Sequence, residues 1–197
     1  MKKITLIILA LIITVSLFSC QTGGPADDVL LARFSELIPA AAEINDIFFG
    51  EGLPVYSREE YPEAYQMTVG ADPDYDFITL EAKYQSIEDI KAAAEAVYTT
   101  DYLMGIYGLV FDGFYDANIG HIAARYTQDS NGFSKHNKIE PQISGAREYD
   151  MNSAKVLMKN DSYATIEVNS TYEGESSSVR IRMKNQDGIW LLDDPSY

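Results

Sequence analysis

From residue 121 onward apolar residues tend to recur at every second position, and this period constrains the fold more than any other stretch. Four strands are expected, over 153–159, 163–172, 177–184 and 189–193, joined by short loops into an antiparallel meander. Ala154, Val156 and Met158 share one face with Ala164, Ile166 and Val168 and with Val179, Ile181 and Met183. The loop Asn160-Asp161-Ser162 sets Val156 opposite Ile166, and a turn centred on Gly174-Glu175 sets Ile166 opposite Met183. Both registers pair apolar with apolar, as a sheet with one buried face requires. On the other face Lys155, Glu167 and Arg182 then fall in one row. That row is a surface charge ladder or, with Arg180 and Lys184, one wall of an anion-binding groove. The turn Gln186-Asp187-Gly188 admits more than one loop length, which leaves the side of Trp190 open. An earlier strand is expected over 121–128, with Asn131-Gly132 as a hairpin turn into Phe133. Residues 138–150 carry no clear pattern.

Ahead of the strands the period is helical. Leu30, Phe34, Leu37, Ala41, Ile44 and Phe48 recur at steps of three and four, one stripe of a helix over Asp27–Phe49. Asp27 and Asp28 suit its N-terminal dipole, Gly50 and Gly52 stop it, and Pro39 is expected to kink or divide it. Residues 53–63 read as loop, 64–69 as a short strand and 77–83 as another. Ser86 with Asp89 opens a second helix that buries Ile87, Ile90, Ala94 and Val97. Thr99 or Thr100 caps a third, with Leu103, Ile106, Tyr107 and Val110 inward and Asp112-Gly113 at its end. Gly105 and Gly108 weaken that helix by about 1 kcal/mol each, and close packing against a neighbour is the expected compensation. Helices followed by an antiparallel meander make an α+β fold over 27–197, one domain, with N-terminal helices packed on a curved, cone-like sheet.

The start of the chain has a different character. Met1-Lys2-Lys3 precedes an apolar run of 15 residues, Ile4 to Phe18, then Ser19 and Cys20. A charged start, a short apolar run and a small residue before the cut describe a secretory signal peptide over 1–19. As a helix the run reaches roughly 22 Å, short of the ~30 Å hydrocarbon core of a bilayer. Lys2 and Lys3 are the charged residues of the leader, so the rest keeps 13 basic residues against 30 acidic ones, a formal charge of −17. Such a charge disfavours nucleic acid, whose affinity for proteins comes largely from Lys and Arg on phosphate. It also disfavours direct adsorption to anionic lipid.

Leu17-Phe18-Ser19-Cys20 resembles the lipobox of bacterial lipoproteins, with Phe18 larger than is usual two positions before the cysteine. The resemblance implies that Cys20, the only cysteine, carries a diacylglyceryl group, that the chain is cut after Ser19, and that the new amine is often acylated. Two long palmitate-type chains contribute on the order of 20 kcal/mol of membrane affinity. Residues 20–26 then form a lipidated cysteine and a polar, Gly-containing tether. In a Gram-negative envelope, Gln21 would not signal inner-membrane retention as Asp would, so the outer membrane is one possible address. With one cysteine no intrachain disulfide forms. The order of helices and strands, closing on Gly188-Ile189-Trp190-Leu191-Leu192-Asp193, is similar to nuclear-transport-factor-2-like and cystatin-like folds. Tyr75-Asp76-Phe77-Ile78-Thr79-Leu80, Ser86-Ile87-Glu88-Asp89-Ile90-Lys91 and Val97-Tyr98-Thr99 resemble the D,L-endopeptidase-inhibitor family of Gram-positive envelopes. Neither family supplies a site residue by residue.

Candidate chemistry is sparse. Asp72, Asp74 and Asp76 have the opening spacing of a calcium loop, but Phe77 and Lys83 stand where its glycine and bidentate glutamate belong. His121 and His136 have no Cys or His at metal-ligand spacing. Glu59-Glu60 and Asp193-Asp194 are adjacent acids, which on a strand point to opposite faces and do not form a glycosidase pair. Tyr56, Tyr61 and Tyr65 form a glycan or peptide platform or pack around a loop. No catalytic residue, metal site or cofactor is assigned. The expected function is a lipid-anchored, extracytoplasmic, non-catalytic domain that binds an envelope protein or wall component, with inhibition of a wall hydrolase as one form. The alternatives are a small-ligand binder or enzyme with a polar pocket inside the cone, and a structural or assembly lipoprotein. A deep polar cavity favours the former alternative; a filled interior favours the binding domain.

Overall fold

A computed structural model describes residues 24–66, 72–118 and 120–197. Cys20 and the leader lie outside these residues, as does the second half, 67–69, of the strand expected over 64–69. Helix α1 (Asp27–Phe49) buries all six stripe residues, together with Ile38, Ile47 and Phe49. Pro39 does not divide it: Leu37 before and Ala41 after are both sealed in the same core, which holds the axis through the missing hydrogen bond. The helix ends where Gly50 N and Gly52 N both donate to the Asp46 carbonyl, at 2.9 and 3.1 Å.

That C-terminal end is clamped by side chains from far along the chain. Arg125 is 4 % exposed and donates to the carbonyls of Ile47 and Gly50. The Tyr126 hydroxyl donates to Ile47 O at 3.0 Å and accepts from Leu53 N at 3.0 Å. Lys135 Nζ donates to Glu51 O at 2.8 Å. Unpaired C-terminal carbonyls thus meet cationic donors, favoured by hydrogen bonding and by the helix dipole alike. Gly52 sits at φ 76°, and a Cβ there would run into the Tyr126 hydroxyl.

Two of the expected strands change form. Part of 64–69 is instead helix α2 (Pro62–Gln66), which brings the Tyr65 hydroxyl to Tyr56 O at 2.5 Å and Phe77 N at 3.1 Å. Strand β1 (Tyr75–Phe77) starts earlier than 77 and is over by Ile78. The next residues turn, because the Gln85 side-chain amide ties the carbonyls of Thr79, Leu80 and Ala82 together. Helix α3 (Ile87–Glu95) has Ser86 as N-cap, its hydroxyl accepting from Asp89 N at 3.0 Å while Asp89 accepts from Gln85 N at 3.2 Å. Thr99 caps α4 (Thr100–Tyr107), which passes into a π-turn at Gly108–Asp112. No side chain or neighbouring segment comes within 4 Å of where a Cβ would stand on Gly105 or Gly108, so close packing against a neighbour does not account for them.

The strand expected over 121–128 is two strands in two sheets. β2 (Phe114–Asp116) pairs with β3 (Gly120–Ile122). β4 (Tyr126–Asp129) pairs with β5 (Gly132–His136), and β5 also pairs with β1. The break falls at Ala123-Ala124, where the chain leaves β3 so that Arg125 can reach α1. The β4–β5 loop is Ser130-Asn131, with Gly132 already paired to Asp129.

The meander is β6 (Glu148–Lys159), β7 (Tyr163–Tyr172), β8 (Glu175–Gln186) and β9 (Ile189–Leu192), in that spatial order. Val156 faces Ile166 as expected, but Ile166 faces Ile181, and Met183 faces Ala164. The turn residues are Glu173 and Gly174, both at positive φ (52° and 82°), which moves its centre back by one and the partner by two. A shift of two keeps every side chain on its face, so the core survives the correction. Met158 does not point inward: a register break after Val156 leaves it 68 % exposed. Trp190 is half-buried and packs against the core, with Leu191 and Leu192 buried beside it. Thr99 N to Leu192 O and Leu192 N to Val97 O, both 2.9 Å, fasten the helices to β9. The result is α+β, with helices covering the inner face of a C-terminal antiparallel meander.

Candidate binding site

The core of the described residues is closely packed. Phe34, Ile44, Ile90, Tyr98, Tyr126, Ile166 and Met183 are each below 2 % exposed and belong to one apolar cluster. Its polar inclusion is satisfied within itself: Tyr98 Oη donates to Asn45 Oδ1 at 2.9 Å, Asn45 Nδ2 donates to Ser196 Oγ at 3.0 Å, and Tyr149 Oη donates to Ser196 O at 2.9 Å. Burial raises the Tyr98 phenol well above its ordinary range and pushes Tyr149 up to about 12. A cavity of about 140 Å³ beside this knot is lined in part by Asn45, Arg147 and Tyr197.

A hollow of about 620 Å³, open to solvent, lies on the outer face of the meander. Cross-strand pairing builds it from two rows, Glu148–Thr171–Ser176 and Asp150–Asn169–Ser178. Its cause is the irregular stretch of β6 between Asp150 and Lys155. There the strand leaves the ladder, and Ser153 Oγ fills in, accepting from Asn169 N at 2.8 Å and donating to Asp150 O at 2.7 Å. Thr171 and Ser176 hydroxyls meet at 3.2 Å. The side chains of Glu148, Asn169 and Ser178 make no hydrogen bond among the described residues. Hydroxyls, an amide and two carboxylates can hold a neutral polar or cationic group. Neither histidine lines the hollow, so its serines have no imidazole base beside them. The hydroxyl run Ser176-Ser177-Ser178 opposite Asn169-Ser170-Thr171 was the visible signal for it in the sequence.

Of the two readings of the basic row, the ion pairs fit the surface charge ladder and leave the cations of the anion groove already paired. Glu167 takes Lys155 at 2.8 Å and Arg180, not Arg182, at 3.1 Å, and both cations hold its carboxyl below the usual carboxylate range. Lys184 pairs with Asp101 at 2.5 Å. Arg182 pairs with Asp193 at 2.9 Å and Asp194 at 3.5 Å, so these two acids converge on one guanidinium instead of pointing apart. The hollow over them, about 460 Å³, is therefore internally neutralised.

The remaining candidates resolve into structure. Asp76 pairs with Arg58 at 2.9 Å, Asp74 with Lys138 at 2.5 Å, and Asp72 accepts from Asp74 N. Among the described residues no group of three or more His, Cys, Asp or Glu can hold a metal ion. His121 is exposed on β3, and His136 packs edge-on against Tyr75, with burial lowering its basicity. Tyr56 meets Tyr61 edge to face, while Tyr65 stacks on Phe77 under the Arg58 guanidinium, so they pack around the 53–61 loop.

The start of the described chain is tied to the opposite end of the meander. Gly24 N donates to Asp161 Oδ1 at 3.0 Å, and Lys159 Nζ reaches Pro25 O at 2.7 Å and Asp27 at 2.6 Å. Among the described residues no helix is long and apolar enough to cross a membrane. No protein-family model matches the chain, and no curated protein is significantly similar to it.

Proposed function

We propose that this protein is a lipid-anchored, extracytoplasmic, non-catalytic binding domain that acts on a cell-wall component or a wall hydrolase. One observation carries the reading: the core is one close-packed apolar cluster with a side cavity of only about 140 Å³, while an open, polar-lined hollow of about 620 Å³ lies at the end of the sheet away from Gly24. Strand β7 spans the two ends, and its ten residues at about 3.4 Å each separate them by roughly 30 Å. A domain tethered through Cys20 would hold the Glu148–Ser178 hollow outward, away from the bilayer. The filled core counts against the pocket enzyme, which needs converging polar groups in a deep cavity. Resemblance to the D,L-endopeptidase inhibitors makes hydrolase inhibition one form of the proposal.

Crosslinking in intact cells tests it, with Cys20→Ala and Asn169→Trp as comparisons. The expected result is a wall fragment or wall-associated protein captured by the native chain. Asn169→Trp should lose it at unchanged membrane association, and Cys20→Ala should lose membrane association. Capture unaffected by Asn169→Trp would remove the hollow from the account; turnover of a wall substrate by the purified chain would remove the non-catalytic reading.

A further inference from the structure

We infer that the end of the domain opposite the hollow rests on the bilayer itself, with Val29, Met158 and Ile189 in the lipid interface. The inference rests on the lipid-anchor reading and adds an orientation to it. Cys20 is four residues before Gly24, and four residues span at most about 14 Å. Gly24 is held against the β6–β7 loop by Asp161, and its Cα lies so close to Asn160 that a Cβ would collide with that backbone. A lipid on Cys20 would thus keep this loop within about 14 Å of the membrane surface, whatever the path of the intervening residues.

Three segments meet there. The β6–β7 loop is joined to the end of β8 by Asn185 N to Ser162 O at 2.8 Å and Asn185 Nδ2 to Asp161 O at 3.1 Å. The β8–β9 turn follows at once, closed by Gly188 N to Asn185 Oδ1. The start of α1 is joined to the end of β6 by Lys159. Each segment exposes a large apolar side chain: Val29 is 54 % exposed, Met158 68 % and Ile189 57 %, with Tyr163 41 % exposed close by. Separate apolar side chains around the point where the chain leaves suit a fluid lipid surface better than a shaped protein partner, which would need a groove. The cations at this end are already paired, Lys159 with Asp27, Lys184 with Asp101 and Arg33 with Glu36 and the Trp190 carbonyl, and Asp28, Asp161 and Asp187 are also here. Contact should therefore be apolar and should weaken on anionic lipid.

Lipidated full-length protein on phosphatidylcholine vesicles gives the test. With the Cys20 sulfur in thioether linkage, Met158→Cys, Ile189→Cys and Glu175→Cys each offer one thiol for an environment-sensitive dye. At 158 and 189 the dye should shift to the blue and lose quenching by aqueous iodide when vesicles are added. At 175, beside the far turn, neither should change. Adding phosphatidylglycerol should reduce the shift. Vesicle-bound protein with the same iodide quenching at all three positions would overturn the orientation alone. Protein that fails to float with vesicles, with a bare Cys20 thiol by mass spectrometry, would overturn the anchor and the orientation with it. A shift seen in native membranes but not on pure lipid would show a protein covering this end, and would equally overturn the lipid contact.

Discussion

At its C-terminal end α1 hands the carbonyls of Ile47, Gly50 and Glu51 to Arg125, Tyr126 and Lys135, side chains that come from more than seventy residues away, the first two buried and the third half-buried. At its N-terminal end no side chain caps the helix, and the support from outside is polar and near the surface: Lys159 reaches Asp27 and Pro25, and Asp161 accepts from Gly24 N just ahead of it. The same helix is thus welded at one end and pinned at the other. Buried donors aimed at otherwise unpaired carbonyls are costly to remove, whereas a solvated ion pair gives little.

The contrast can be broken at either end. Arg125→Met leaves Gly50 O unpaired and should cost about 3 kcal/mol. In a domain of this size that lowers the thermal midpoint by about 6–12 °C, read by circular dichroism. Gly52→Ala forces a Cβ into a left-handed conformation against the Tyr126 hydroxyl, and should cost about 2 kcal/mol in urea unfolding. Alkali tests the buried phenols. Tyr98, Tyr107, Tyr126 and Tyr149 all have folded pKa values raised by burial, Tyr149 to about 12. The unfolded chain releases these protons first, near pH 10, so stability should be complete below that pH and fall as it rises through about 12. Phenolate absorbance should then appear in step with unfolding; gradual ionisation of these tyrosines in a still-folded chain would contradict their burial. Lys159→Ala should have the smallest effect, within about 0.5 kcal/mol. A loss as large as that of Arg125→Met would erase the difference between the two ends.

Local signals were readable in advance and distant ones were not. The α1 stripe, the Ser86 and Thr99 caps and the inward parity of Ile166, Val168, Ile181 and Met183 depend on neighbours along the chain or across one turn. The β7–β8 turn was misplaced because Glu173, not Glu175, takes the conformation beside Gly174, at a cost an L-residue rarely accepts. Nothing at Ala123-Ala124 marks a strand break, since the reason for it lies across the fold at α1. The polar hollow was missed for the same kind of reason: it exists because β6 departs from its ladder between Asp150 and Lys155, and alternation alone assumes a regular ladder. Cation partners were also invisible, because Lys184 chooses Asp101 on another element.

The two departures of β6 from its ladder have an outcome beyond the hollow. β6 is the outer strand of the meander, and its free side would otherwise be a straight run of amide and carbonyl groups ready to pair with another chain. Breaks at 150–155 and 156–158 cut that run into short, differently twisted pieces, with Lys155 and Lys159 beside them. Molecules meeting at high concentration would find no continuous strip to zip onto, and would stay individual where a regular edge would polymerise.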